Sequence, residues 1–173
     1  MKIAMLGQRQ IPSREGGVEV VVEELSTRMV KKGYEVTCYN RSGKQLMSND
    51  RSNRKLKEYK GVKLKRAFTI DKKGLGAMTS SFFATIKILF SRADVVHYHA
   101  EGPCAWMWII RWLSRKKIIA TIHGLNWKSP KWKGFGAKYI KYGEKVAVKN
   151  AHHIIVLSEA TRDYFKETYT FKF

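Results

Sequence analysis

The chain has 173 residues, 44% of them hydrophobic, with 34 Lys and Arg against 14 Asp and Glu for a formal net charge of +20. That length fits one domain able to withdraw about 70% of its unfolded surface from water, and that apolar content excludes a disordered chain. The charge predicts a strongly positive field, attractive to nucleic acid, anionic lipid or phosphorylated small molecules, and by itself does not choose among them.

Short apolar runs alternate with amphipathic stretches, the pattern of a parallel α/β sheet flanked by helices, a Rossmann-like arrangement. Residues 2–7 (KIAMLG) read as a first buried strand. Residues 18–32 read as a helix, because Val18, Val21, Val22, Leu25 and Met29 fall on one helical face and Gly33 supplies a stop. Residues 34–39 (YEVTCY) form a second strand, and the basic, polar residues 40–60 a loop. A third strand is expected at 62–67, a helix at 77–91 and a fourth strand at 94–99. A helix over 102–114 starts at Pro103, and a fifth strand covers 118–122. A loop (124–134), a helix (135–150), a sixth strand (154–157) and a last helix (159–169), capped by Ser158, complete the chain.

Cys38 and Cys104 stand far apart without metal-ligand spacing and suit buried thiols in a reducing compartment. The N-terminus is too short in apolar residues for a signal peptide, and no run of about 18 apolar residues exists to span a membrane. The expectation is a cytoplasmic chain, with peripheral residence on the inner face of the plasma membrane open to it.

Three strand ends carry chemistry. After the first strand, Gly16 and Gly17 lie in SREGGVE, where the backbone can approach a ligand and the following helix offers free amides to an anion such as phosphate. This is neither GxGxxG nor GxxxxGK[ST], so a dinucleotide cofactor and a P-loop are poorly supported. After the fourth strand, in HYHAEGP, alternation points His97 and His99 to one face and Tyr98 to the other. A lone HxH pair lacks the further ligands a zinc site needs, so no metal is expected. After the fifth strand, in TIHGLNW, His123 is placed to hydrogen-bond a sugar hydroxyl or carry a proton, and Gly124 lets a ligand come near. In an open α/β sheet these ends converge on one crevice. Ordinary glycine turns and structural histidines would give the same residues.

Residues 104–141 mix Trp106, Trp108, Trp112, Trp127 and Trp132 with many Lys and Arg. Such a mixture suits an anionic membrane surface, or single-stranded nucleic acid. It is equally the pattern of core tryptophans beside a solvated basic face. The membrane ranks first because no RNA-binding motif accompanies the charge.

The opening MKIAMLGQRQIPSREGGVEVVVEELSTRMVKKGYEVTCYNR, with DVVHYHAEGP, ATIHGLNW and HHIIVLSEATRDYFKETY in order, resembles the N-terminal, acceptor-side domain of family 4 glycosyltransferases of the GT-B fold. It looks closest to rhamnosyltransferase-like members that build bacterial surface polysaccharide. The resemblance implies transfer of a sugar from a nucleotide-sugar to a polysaccharide or lipid-linked acceptor, with retention and without metal or other cofactor. It implies that Gly16 and Gly17 approach the donor diphosphate and that His123 lies near the transferred sugar. It further implies that His99, Glu101 and Gly102 line the acceptor side. Loops at strand ends carry function, so residues 40–60 and 124–134, Gly124 and Asn126 among them, are the further acceptor contacts expected. Nothing in residues 1–173 resembles the family's C-terminal donor-binding domain. The expectation is therefore a half-enzyme, inactive alone, that waits on that domain or a partner chain.

Overall fold

The computed structural model describes residues 1–43, 56–72, 74–130 and 132–169. Seven strands form one sheet in the order β3-β4-β2-β1-β5-β6-β7. They are β1 (Lys2–Leu6), β2 (Glu35–Arg41), β3 (Glu58–Tyr59), β4 (Val62–Ala67), β5 (Val95–His99), β6 (Lys117–Ile122) and β7 (His153–Val156). Only β3 runs antiparallel, as the short outer strand of a hairpin with β4. Central β1 pairs with β2 and β5, setting Ala4 opposite Thr37 on one side and Val96 on the other. Its Ile3–Leu6 run is buried because helices cover both faces, which is why its hydrophobicity is continuous rather than alternating.

One face packs on α1 (Gly17–Lys31), where Val22 meets a cluster containing Ile3, Met5, Val36 and Cys38. The other face carries α2 (Leu75–Leu89), α3 (Glu101–Cys104), α4 (Met107–Leu113), α5 (Phe135–Asn150) and α6 (Glu159–Tyr169). There Leu6, Tyr98, Ile118 and Ile122 pack with Ile88, Met107, Ile110, Ala147 and Phe165. The two free cysteines are buried in separate clusters, Cys38 with α1 and Cys104 with the opposite layer.

The sequence-based elements survive with three corrections. Strand β2 runs on to Arg41, because Asn40 and Arg41 keep pairing with Arg66 and Ala67 of β4. The expected loop 40–60 therefore begins later and also contains β3, while residues 44–55 lie outside the described residues. The single helix expected over 102–114 is two. Ala105 and Trp106 donate to the carbonyls of Gly102 and Pro103, three residues back, and this tighter turn separates α3 from α4. It lets Trp106 face inward onto Phe82, at 4.9 Å between ring centroids.

Candidate functional site

The carboxyl ends of β1, β5 and β6 lie side by side at one edge of the sheet. Gly7 leaves β1 with φ +120°, and a Cβ there would stand 2.1 Å from the His99 carbonyl oxygen, so only glycine allows β1 and β5 to end so close together. Buried Gln8 then donates to the Tyr39 carbonyl at 3.3 Å. Asn40 clamps the next turn by accepting from Ile11 N at 3.1 Å and donating to Ile11 O at 3.0 Å. From α1, Glu19 accepts from Arg9 N at 2.9 Å, and Glu23 accepts from Ser13 N at 3.1 Å, from Arg14 at 3.2 Å and from the Tyr59 hydroxyl at 3.2 Å. The loop before α1 is thus anchored from β2, β3 and the helix it precedes.

Gly16 caps α1 in an extended conformation, with no side chain bonded to the first-turn amides. A Cβ on Gly16 would fall 2.2 Å from Glu19 Oε2, whereas one on Gly17 meets nothing within 4 Å. Gly17 faces open space at the positive end of a 15-residue helix. Arg9 and Arg41 flank this turn and make no salt bridge among the described residues. Burial lowers the Arg41 pKa to about 10, with Arg9 adding to the effect and Glu19 opposing it.

His97, His99 and His123 form a column. His97 Nε2 and Thr121 Oγ1 are 2.7 Å apart, the rings of His97 and His99 stack at 4.2 Å, and His99 Nδ1 lies 3.2 Å from His123 Nε2. Burial lowers all three pKa values, His97 to about 4 and His99 well below its ordinary value. The column is therefore neutral near pH 7. His123 is its half-buried outer member and feels the Glu19 carboxylate, which ties the β6 end to the glycine turn. The Nε2 of His99 is buried without a partner.

Glu101 is fully buried and spends both oxygens on Asn126, taking its backbone N–H at 2.8 Å and its side-chain amide at 2.5 Å. Burial raises the Glu101 pKa, and the Asn126 bonds oppose that rise. Gly102 lies behind the loop with Tyr139 over it, while Gly124 stands open with nothing within 4 Å. Gly16, Gly17, His123 and Gly124 are thus brought to one edge, with His99 and Glu101 behind them as supports.

Two contributors escape a reading of the sequence alone. Arg41 ends β2, in a stretch that the sequence places in a loop. Glu144 is fully buried. It accepts from Trp127 Nε1 at 2.9 Å, Lys141 at 2.6 Å, Tyr164 at 2.8 Å and Tyr169 at 2.5 Å, and so joins the site loop to α5 and α6. Its signal was its place on the α5 stripe of Ile140, Gly143 and Ala147. Among the described residues no group of three His, Cys, Asp or Glu is arranged to hold a metal, and no helix is long and apolar enough to cross a membrane.

A parallel sheet whose glycine turn and histidine column meet at its carboxyl edge is an open α/β domain, a class in which that edge is the usual place for a ligand. The profile of Glycosyltransferase Family 4 matches residues 15–172, and the chain belongs to that family. Its fold is that of a GT-B glycosyltransferase domain. Sucrose-phosphate synthase from Thermosynechococcus elongatus superposes with a TM-score of 0.73 at 16% identity, over 96% of this chain and 45% of that one. A second, shorter structure of that synthase gives 0.64 at 15% identity, over 97% and 82%. Anabaena HepE, solved in complex with UDP, gives 0.62 at 16% identity, over 96% and 40%. The chain therefore spans less than half the length of the synthase and of HepE. No curated protein matches it in sequence.

Proposed function

We propose that the edge formed by Gly16, Gly17, His123 and Gly124 is the acceptor-side wall of a glycosyltransferase cleft, serving retaining transfer from a nucleotide-sugar, rhamnose being the sugar class favoured. The acceptor is a polysaccharide or lipid-linked glycan. One observation carries the reading: an open, uncapped helix turn and a neutral histidine converge on the same edge of a family 4 domain.

The parts divide the work by chemistry. Transfer leaves negative charge on the departing nucleoside diphosphate, and the α1 amides with Arg9 and Arg41 present positive potential to it without rearranging. His123, held by His99 and neutral, orients a sugar hydroxyl through a hydrogen bond rather than acting as a cation. Glu101 positions Asn126 and so fixes the loop that the acceptor meets. The opposite wall and most donor contacts come from a second domain or a partner chain, a reading supported by the greater length of the solved relatives.

A transfer assay with radiolabelled nucleotide-sugars, paired with NMR titration of the chain, tests this. The expected result is no turnover by the chain alone, together with ligand shifts at the Gly17 and His123 amides on adding UDP-sugars or glycan acceptors. Turnover by the chain alone overturns the half-site reading. Titrations that leave those amides unmoved overturn the site.

A further inference from the structure

The outer surface of the α2–α4–α5 layer carries large apolar side chains where a helix facing water normally places polar ones. On α2, exposed Leu75 and Phe83 share a stripe with Phe90 just past its end, and Phe90 is 82% exposed. On α4, Trp108 and Trp112 lie one turn apart, Trp112 80% exposed and adjoining Leu113. On α5, Phe135 and Tyr142 are exposed. Helix α4 packs between α2 and α5. Lys116 Nζ donates to the carbonyls of Ser91 and Ala93 at 2.7 and 3.1 Å, tying the end of α4 to the end of α2. These groups therefore belong to one surface.

The charges on that surface have one sign. Lys138, Lys145 and Lys149 are exposed on α5, exposed Lys87 and Arg111 rest their head groups on the Arg66 carbonyl and on His152, and the single carboxylate on α2, α4 or α5 is Glu144, which is buried. Lys138, Lys141 and Lys145 line a depression of about 420 Å³ against Trp127 and Tyr142. The opposite face differs: Glu23, Glu24 and Glu35 there make salt bridges with Arg14, Arg28, Lys2 and Lys63.

We propose that the α2–α4–α5 face docks on an anionic lipid bilayer. Exposed Trp and Phe partition into the interface between headgroups and acyl chains, and the surrounding cations neutralise anionic headgroups. A second copy of the chain would set like charge against like. Single-stranded nucleic acid would stack on the rings but leaves the exposed aliphatic Leu75 and Leu113 without a role. Helices α2 and α5 begin at the sheet edge that holds Gly17 and His123 and end at the opposite edge. The docked face thus runs along the flank of the domain, and the cleft edge opens beside the bilayer. This inference stands apart from the glycosyltransfer reading, since it uses none of the cleft residues.

Co-sedimentation of the chain with phosphatidylcholine vesicles, with and without phosphatidylglycerol, tests it at low and high salt. Binding is expected on the anionic vesicles and weakens with salt. The exposed-residue variant F90S/W112S/L113S keeps the wild-type melting temperature and loses about tenfold or more of the vesicle affinity. The variant K138E/K145E loses the preference for phosphatidylglycerol. Equal sedimentation with both vesicle types, or triple-variant binding equal to wild type, overturns the proposal. So does high-salt-resistant binding of a fluorescent single-stranded RNA that the triple variant abolishes, which would assign the face to nucleic acid. A dimer dispersed by the triple variant, with no vesicle binding, would assign it to a second copy.

Discussion

Gly143→Ala reverses the usual rule for a mid-helix glycine. At an open position this change favours the helix by about 1 kcal/mol. Here an added Cβ would stand 2.0 Å from the Glu101 carbonyl oxygen, 2.9 Å from its carbon and 3.3 Å from Ala105 N. An unstrained carbon–oxygen contact is about 3.3 Å or more, so α3 and α5 must separate by more than about 1 Å. Overpacking of this kind costs about 1–3 kcal/mol, and a shift of Glu101 weakens its charged hydrogen bonds to Asn126, each worth about 1.5–3 kcal/mol. Set against the helix gain, the net loss is about 2–4 kcal/mol, which lowers the melting temperature by about 5–15 °C. Thermal unfolding followed by circular dichroism reads this directly, with Gly17→Ala as the uncrowded comparison. A Gly143→Ala protein melting at or above wild type would refute the close-packing argument and the path from Gly143 through Glu101 to the site loop.

Gly17→Ala itself should leave stability within about 0.5 kcal/mol, because nothing lies within 4 Å of the new methyl, yet reduce transfer by the assembled enzyme about tenfold or more. Full activity in that variant would remove the glycine turn from the cleft. Glu144→Gln leaves Lys141 without its charged partner and weakens four bonds at one buried group, an expected loss of about 3 kcal/mol in urea unfolding. An unchanged midpoint would contradict it. The histidine column makes stability depend on pH. The unfolded chain takes up protons near the ordinary histidine value of 6.5 while folded His97 resists to about 4, so stability is full above 6.5 and falls as pH drops towards 4. The His97 share is about 3 kcal/mol, and urea midpoints equal at pH 7.5 and pH 5 would rule it out.

Much of this architecture is legible in the sequence because parallel strands buried on both faces leave continuous apolar runs, as in KIAML and KIIATI. Alternation also places His97 and His99 on one face and Tyr98 on the other, as the stacked imidazoles and the Tyr98–Thr85 hydroxyl contact at 3.0 Å attest. The end of β2 was not legible, since Asn40 and Arg41 read as loop residues until β4 supplies their partners. The break between α3 and α4 was not legible either. Cys104, Ala105 and Trp106 contain no helix breaker, and the tight turn is imposed by packing on α2 and α5. The sorting of the tryptophans is tertiary in the same sense. Trp106 turns inward and Trp127 is tied to Glu144, while Trp108 and Trp112 face out.

The Glu144 junction sets where this domain can be cut. Tyr164 and Tyr169 reach the carboxylate from α6, and Trp127 reaches it from the loop beside His123. A shortened polypeptide ending after β7 would strip two phenols from a carboxylate that has no exposure, leaving Lys141 and the Trp127 indole to hold it. The indole would then drift, carrying the Gly124–Asn126 turn with it. The last helix therefore serves as a brace for the sheet edge that holds His123, and any excised fragment meant to retain that edge has to keep residues through Tyr169.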